Sequence, residues 1–121
     1  MTQGAHPPWK HMSDERLDLL KGTLDVLVLK ALIWGPRHGY AVAEWVEHAT
    51  NRALQIEEGA LYHALHRLEK AGAVTSEWGV SDANRRARYY TLTTAGREQL
   101  VAKTDSWTRY AEAVFSALRT A

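Results

Sequence analysis

Residues 56–72 read IEEGALYHALHRLEKAG, from Ile56 to Gly72. Leu61, Ala64, Leu65 and Leu68 recur at steps of three and four, the spacing of one apolar stripe on an α-helix. At 100° per residue, Gly59, His63, His66 and Lys70 fall on the opposite face, with Tyr62 and Arg67 on its flanks. Gly72 stands where a left-handed C-cap is wanted. Directly downstream, TSEWGVSDANRRARYYTLT (75–93) holds two short β-rich runs around a polar loop that carries arginines. A helix with an outward polar face followed by a basic hairpin predicts a winged helix-turn-helix, mainly α with a small β-hairpin. Such a fold lays its helix in a DNA groove.

The chain upstream supplies the rest of such a domain. Thr23 is a candidate N-cap, and apolar residues at 24, 27, 28, 31 and 32 predict a mostly buried helix over Leu24 to Trp34, stopped by Gly35-Pro36. Val42, Ala43, Val46 and Ala49 give helical spacing over Tyr40 to Ala49, and Thr50 to Gln55 reads as a turn. Three helices joined by short turns form a helix-turn-helix core. Ser13 can cap a further short helix through Leu20. Residues 1–12, with two adjacent prolines and no periodicity, read as a flexible tail. The hairpin strands are expected at Val74–Val80 and Arg88–Leu92, with Asp82-Ala83-Asn84 in the loop. The winged domain thus spans residues 13–92.

Thr93 or Thr94 caps a last helix within residues 93–121. Leu100, Trp107 and Val114 stand seven apart on it, accompanied by Tyr110, Ala111, Phe115, Ala117 and Leu118. A domain this small has little left to cover that stripe, so a two-helix seam with a second copy is expected, making the chain a homodimer.

Composition narrows the function. The 121 residues suffice for one domain, and 45% hydrophobic and 24% charged residues are ordinary for a soluble globular chain. With no cysteine, disulfides, thiolate catalysis and cysteine zinc sites are excluded. The longest apolar run, Val26 to Trp34, is broken by Lys30 and too short to cross a bilayer. The first twelve residues do not read as a signal peptide, so a cytoplasmic location is expected. Net charge is only +1, but it is unevenly spread. From Ser81 to Tyr90, Arg85, Arg86 and Arg88 face Asp82 alone, a local +2. From Glu57 to Lys70, three glutamates outweigh Arg67 and Lys70, a local −1. Any grip on phosphate must therefore lean on the hairpin.

Individual residues admit more than one reading. Tyr62 can bond a phosphate or base edge, or pack its ring against the wing. Arg85 and Arg86 can track the DNA backbone or enter the minor groove. His63 and His66 share a face, but without cysteines or an acidic neighbour on that strip they read as a surface pair rather than metal ligands, with groove contact as the functional alternative. Glu57 and Glu58 complement the helix dipole, repel phosphate, or accept from a cytosine amino group. No nucleophile–base–orienter set, Gly-rich phosphate loop or cofactor motif is present, so neither an enzyme nor a cofactor is expected.

Four stretches in order, LLKGTLDVLVLKAL (19–32), GPRHGYAVA (35–43), EEGALYHALHRLEKAG (57–72) and NRRARYYTLTTAGREQL (84–100), resemble the PadR-type transcriptional regulators over roughly residues 17–100. The resemblance implies a winged helix-turn-helix with a C-terminal dimerisation helix. It also implies a repressor on a pseudo-palindromic operator, relieved in some members by a small aromatic molecule. Many members open the recognition helix with Ser-Pro and a small hydroxyl residue, where this chain has Glu57, Glu58 and Ala60. The acidic pair resembles a short branch of the family, in which proline is common at the position of His63. Short members can also sandwich a planar molecule between tryptophans of the last helix. Trp107 is the candidate here, either as an effector platform or as seam packing. The expected DNA contacts are Gly59, Tyr62, His63, His66, Arg67 and Lys70 on the helix and Arg85, Arg86 and Arg88 on the wing. The expected dimer contacts are Leu100, Trp107, Tyr110, Ala111, Val114 and Leu118. The competing reading is a winged-helix module that uses its surface for protein partners.

Overall fold

The computed structural model describes residues 22–121. The expected tail (1–12) and the short helix from Ser13 to Leu20 lie outside the described residues. The elements are α1 (22–31), β1 (Arg37–His38), α2 (Gly39–Ala49), α3 (Glu58–Lys70), β2 (Val74–Val80), β3 (Arg86–Leu92) and α4 (Thr94–Arg119). The three strands form one antiparallel sheet in the order β1-β3-β2. The winged helix-turn-helix expected from the sequence is therefore the fold, with a long C-terminal helix attached.

The apolar stripes meet in one core. Leu61, Ala64, Leu65 and Leu68 of α3 pack with Leu24, Val28, Leu29 and Ala31 of α1, Val42 of α2, and Val74, Tyr90 and Leu92 of the hairpin. Burial pushes the Tyr90 phenol above its ordinary pKa, against the nearby Arg88 charge, which lowers it.

Each helix end has a chemical cause. Gly72 adopts φ +76°, while Ala73 N–H reaches Leu68 O at 2.8 Å and Gly72 N–H reaches Glu69 O at 3.0 Å. These two bonds are a Schellman motif, which satisfies carbonyls at the end of α3. The Thr93 hydroxyl caps α4 by accepting from Gly96 N–H at 2.9 Å. Gly96 must be glycine, since a Cβ there would run into the Ala73 carbonyl. That close approach seats the start of α4 on the turn that ends α3.

Several boundaries differ from the sequence reading. Thr23 lies inside α1 rather than capping it, and α1 ends at residue 31, giving way to tight turns through Trp34. Leu29, off the expected stripe, is fully buried, whereas Leu27 is only half-buried. Strand β3 begins at Arg86, two residues early, and β1 was not anticipated. It pairs Arg37 with Tyr90 and His38 with Tyr89. His38 then caps α2, its Nδ1 accepting from Ala41 N–H at 3.2 Å.

Candidate nucleic-acid interface

The outward strip of α3 is built as its periodicity requires. With Leu61, Ala64, Leu65 and Leu68 buried, Gly59, His63, His66 and Lys70 are exposed. None of His63, His66 and Lys70 makes a salt bridge among the described residues, so their polar groups are available to a partner.

The two flanking residues behave differently. Tyr62 stays half exposed, and its ring lies over Gly39 at the start of α2. A Cβ at Gly39 would sit 3.1 Å from the Tyr62 hydroxyl oxygen and 3.2 Å from the ring. Tyr62 thereby links α3 to α2 while remaining partly exposed. Arg67 is turned inward. Its Nη2 lies 2.8 Å from Asp25 Oδ1 on α1, and its Nε is buried without a hydrogen-bond partner. Arg67, expected on the flank as a DNA contact, thus has its charge paired with Asp25 within the fold.

The wing arginines also divide. Arg85 is exposed in the loop, where Asn84 (φ +59°) turns the chain and Ser81 Oγ accepts from Arg85 N–H. Arg86 lies over the Trp78 ring, 4.4 Å from its centroid. Arg88 is engaged within the fold: its Nε donates to Ser76 Oγ at 2.8 Å and its Nη2 lies 3.9 Å from Glu69. Ser76 in turn donates to Glu69 at 2.6 Å. Arg88, expected as a wing contact to DNA, therefore also ties the wing to the last turn of α3. Strand pairing sets Trp78 opposite Arg88, a neighbour that spacing in the sequence does not reveal.

Acidic groups crowd the other end of α3. Glu57 occupies the N-cap position without a side-chain cap bond, and Glu58 lies in the first turn. Between α2 and α3 runs an open cleft of about 590 Å³, lined in part by Tyr40, Glu44, Glu47, Arg52, Glu58 and Tyr62. The electrostatic gradient thus runs from acidic at the start of α3 to basic at the wing. Among the described residues, no group of three or more His, Asp or Glu is placed to hold a metal ion. No helix there is long and apolar enough to cross a membrane.

On α4, only Gly96 and Leu100 are buried. Leu100 belongs to the core of its own chain, so its place in the expected seam is corrected: a residue that close to the domain is covered by it. Beyond it, Trp107, Tyr110, Val114, Phe115 and Leu118 are exposed and Ala111 is half-buried. Trp107 Nε1 donates to Thr23 Oγ1 of α1 at 2.8 Å, and the residue remains 43% exposed.

The family model described as "Transcriptional regulator PadR-like family" matches residues 28–102. An uncharacterised protein X of Lysinibacillus sphaericus is 32% identical over 100 residues, covering 82% of this chain and 91% of its own. Among solved structures, a PadR family transcriptional regulator from Eggerthella lenta is 30% identical with a TM-score of 0.71, covering 93% of this chain and 96% of its own. A transcriptional regulator from Clostridium thermocellum is 29% identical with a TM-score of 0.73, covering 82% and 96%. With the family matched across α1 to the start of α4 and the winged fold in place, the chain belongs to the PadR-like transcriptional regulators, DNA-binding proteins rather than enzymes.

Proposed function

We propose that the protein is a repressor that binds a pseudo-palindromic operator as a homodimer. In this reading the exposed strip of Gly59, Tyr62, His63, His66 and Lys70 reads the groove, and Arg85 and Arg86 grip the flanking backbone. The observation that carries it is the pairing of an outward, unpartnered polar strip on α3 with an arginine-bearing wing locked to that helix through Glu69, Ser76 and Arg88. A rigid link between helix and wing fixes the distance between base contacts and phosphate contacts, which recognition of a duplex requires. A gel shift on the DNA upstream of the protein's own coding sequence, with an unrelated duplex as competitor, tests this reading.

The exposed apolar side chains along α4 support dimerisation. A single copy leaves Tyr110, Val114, Phe115 and Leu118 in water, and a second α4 would cover them. Trp107 is the proposed platform for a small planar aromatic effector. Its nitrogen is held by Thr23, and two residues further along α1 Asp25 holds Arg67 of α3. An effector that moved the indole would thus act on a helix bonded to the recognition helix.

One observation favours a second reading, a winged-helix module for protein partners. Glu44, Glu47 and Glu58 surround the α2–α3 cleft with Arg52 as the opposing cation, and none of the three forms an ion pair among the described residues. Weak heparin retention together with no gel shift would favour it.

A further inference from the structure

The outer half of the wing carries an exposed aromatic surface outside the core of the domain. Strand alternation puts Val74, Ser76, Trp78 and Val80 of β2 on one sheet face, with their partners Leu92, Tyr90, Arg88 and Arg86. The inner end of that face, Val74 with Tyr90 and Leu92, is buried in the core. Past Ser76 the ribbon runs on for roughly 13 Å at about 3.3 Å per residue. There Trp78 is 56% and Val80 66% exposed. An indole and an isopropyl group on the same strand face are thus left largely in water, covered only by the neighbouring guanidinium groups.

The charges beside them are arranged unequally. Arg88, 5.5 Å from the Trp78 centroid, is also held by Ser76 and Glu69. Arg86, 4.4 Å from the same centroid, makes no ion pair among the described residues. A guanidinium laid on an indole loses little freedom when it meets an anion, because its stem is already braced. The surface therefore presents an apolar patch with one pre-positioned cation at its edge. A duplex groove wall has the complementary pattern, the apolar edge of deoxyribose beside a phosphate.

We propose that Trp78 is a DNA-contacting residue: with Val80 it packs on the deoxyribose wall of the duplex beyond the groove held by α3, while Arg86 meets the adjoining phosphate. This rests on the DNA-binding reading above and adds an uncharged component to it. Binding through the wing is then partly insensitive to salt, unlike contacts made by arginine alone.

The test uses the full chain, the duplex upstream of its own coding sequence and an unrelated mixed-sequence duplex. Affinities are measured over a salt series for wild type, Trp78→Ala, Trp78→Phe and Arg86→Ala. Trp78→Ala is expected to lose about tenfold in affinity on both duplexes, the scale of an aromatic contact to nucleic acid, with an unchanged salt slope. Trp78→Phe keeps a ring and is expected to retain most of the affinity while losing part of the tryptophan emission change that DNA produces in wild type. Arg86→Ala is expected to flatten the slope by about 0.9. Unchanged affinity in Trp78→Ala overturns the proposal. So does a slope flattened as in Arg86→Ala, which would make the indole merely a brace for the arginine. If wild type binds neither duplex, the DNA reading fails first and this contact with it. Matched thermal melts of the variants exclude unfolding as the cause of any loss.

Discussion

Arg67 Nη2 lies 2.8 Å from Asp25 Oδ1, joining α3 to α1 across 42 positions of sequence. The Asp25 side chain is only 14% exposed, so removing Arg67 strands a largely enclosed carboxylate. Arg67→Ala should therefore cost about 2 kcal/mol in chemical denaturation, the scale of a broken charged hydrogen bond. Its salt slope for DNA binding should match wild type. A slope flattened by about one would instead make Arg67 a phosphate contact.

The same logic applies where α4 starts. Gly96→Ala forces a Cβ onto the Ala73 carbonyl, a backbone atom that cannot swing aside. A loss of roughly 2–4 kcal/mol in stability is expected, the range for overpacking with backbone displacement. Gly39→Ala meets first the Tyr62 hydroxyl and ring, a side chain that can tilt, so its effect should be smaller. Equal melting temperatures for Gly96→Ala and wild type would contradict the close approach.

How much of this was legible in the sequence depended on the range of the interaction. The α3 stripe and the glycine that ends it are local patterns, and Leu61 through Gly72 could be read from spacing alone. The hairpin followed from β-rich runs around a turn. Strand β1 could not be read, because two residues carry no periodicity and their partners Tyr89 and Tyr90 lie some fifty positions away. Arg67 has the same cause: its place on the helix flank was right, but Asp25 decides what it does there. Leu100 fitted a heptad with Trp107 and Val114, and the heptad does not say where the domain ends. Trp78 was overlooked because strand pairing, not spacing, sets it beside Arg86 and Arg88.

The placement of Leu100 bears on how to test dimerisation. A chain ending after Lys103 keeps Leu100 in the core and removes the exposed apolar residues from Trp107 onward. It should sediment as a folded monomer with weakened operator binding, since tethering of two half-site contacts is lost. A truncated chain that remains a tight dimer would place the interface elsewhere.

Effector binding at Trp107 has an optical readout. Titration with a planar cationic aromatic dye should quench the full-length protein's tryptophan emission. The quenching and the affinity should both fall in Trp107→Phe, which replaces the indole by a smaller phenyl ring and loses the emitting group and the bond to Thr23. Identical titrations in the two proteins would make Trp107 packing alone.

The central claim is that α3 and the wing form one DNA-reading surface. It is tested most directly by fluorescence anisotropy on the upstream duplex over a salt series, comparing wild type, Arg85→Ala with Arg86→Ala, and His63→Ala with His66→Ala. The double arginine variant should bind every sequence more weakly, with the slope of log affinity against log salt reduced by about 1.8, two phosphate contacts' worth. The double histidine variant should keep the slope and lose discrimination between the upstream duplex and an unrelated one. Wild-type slope and affinity in the arginine variant, with discrimination intact in the histidine variant, would contradict the account.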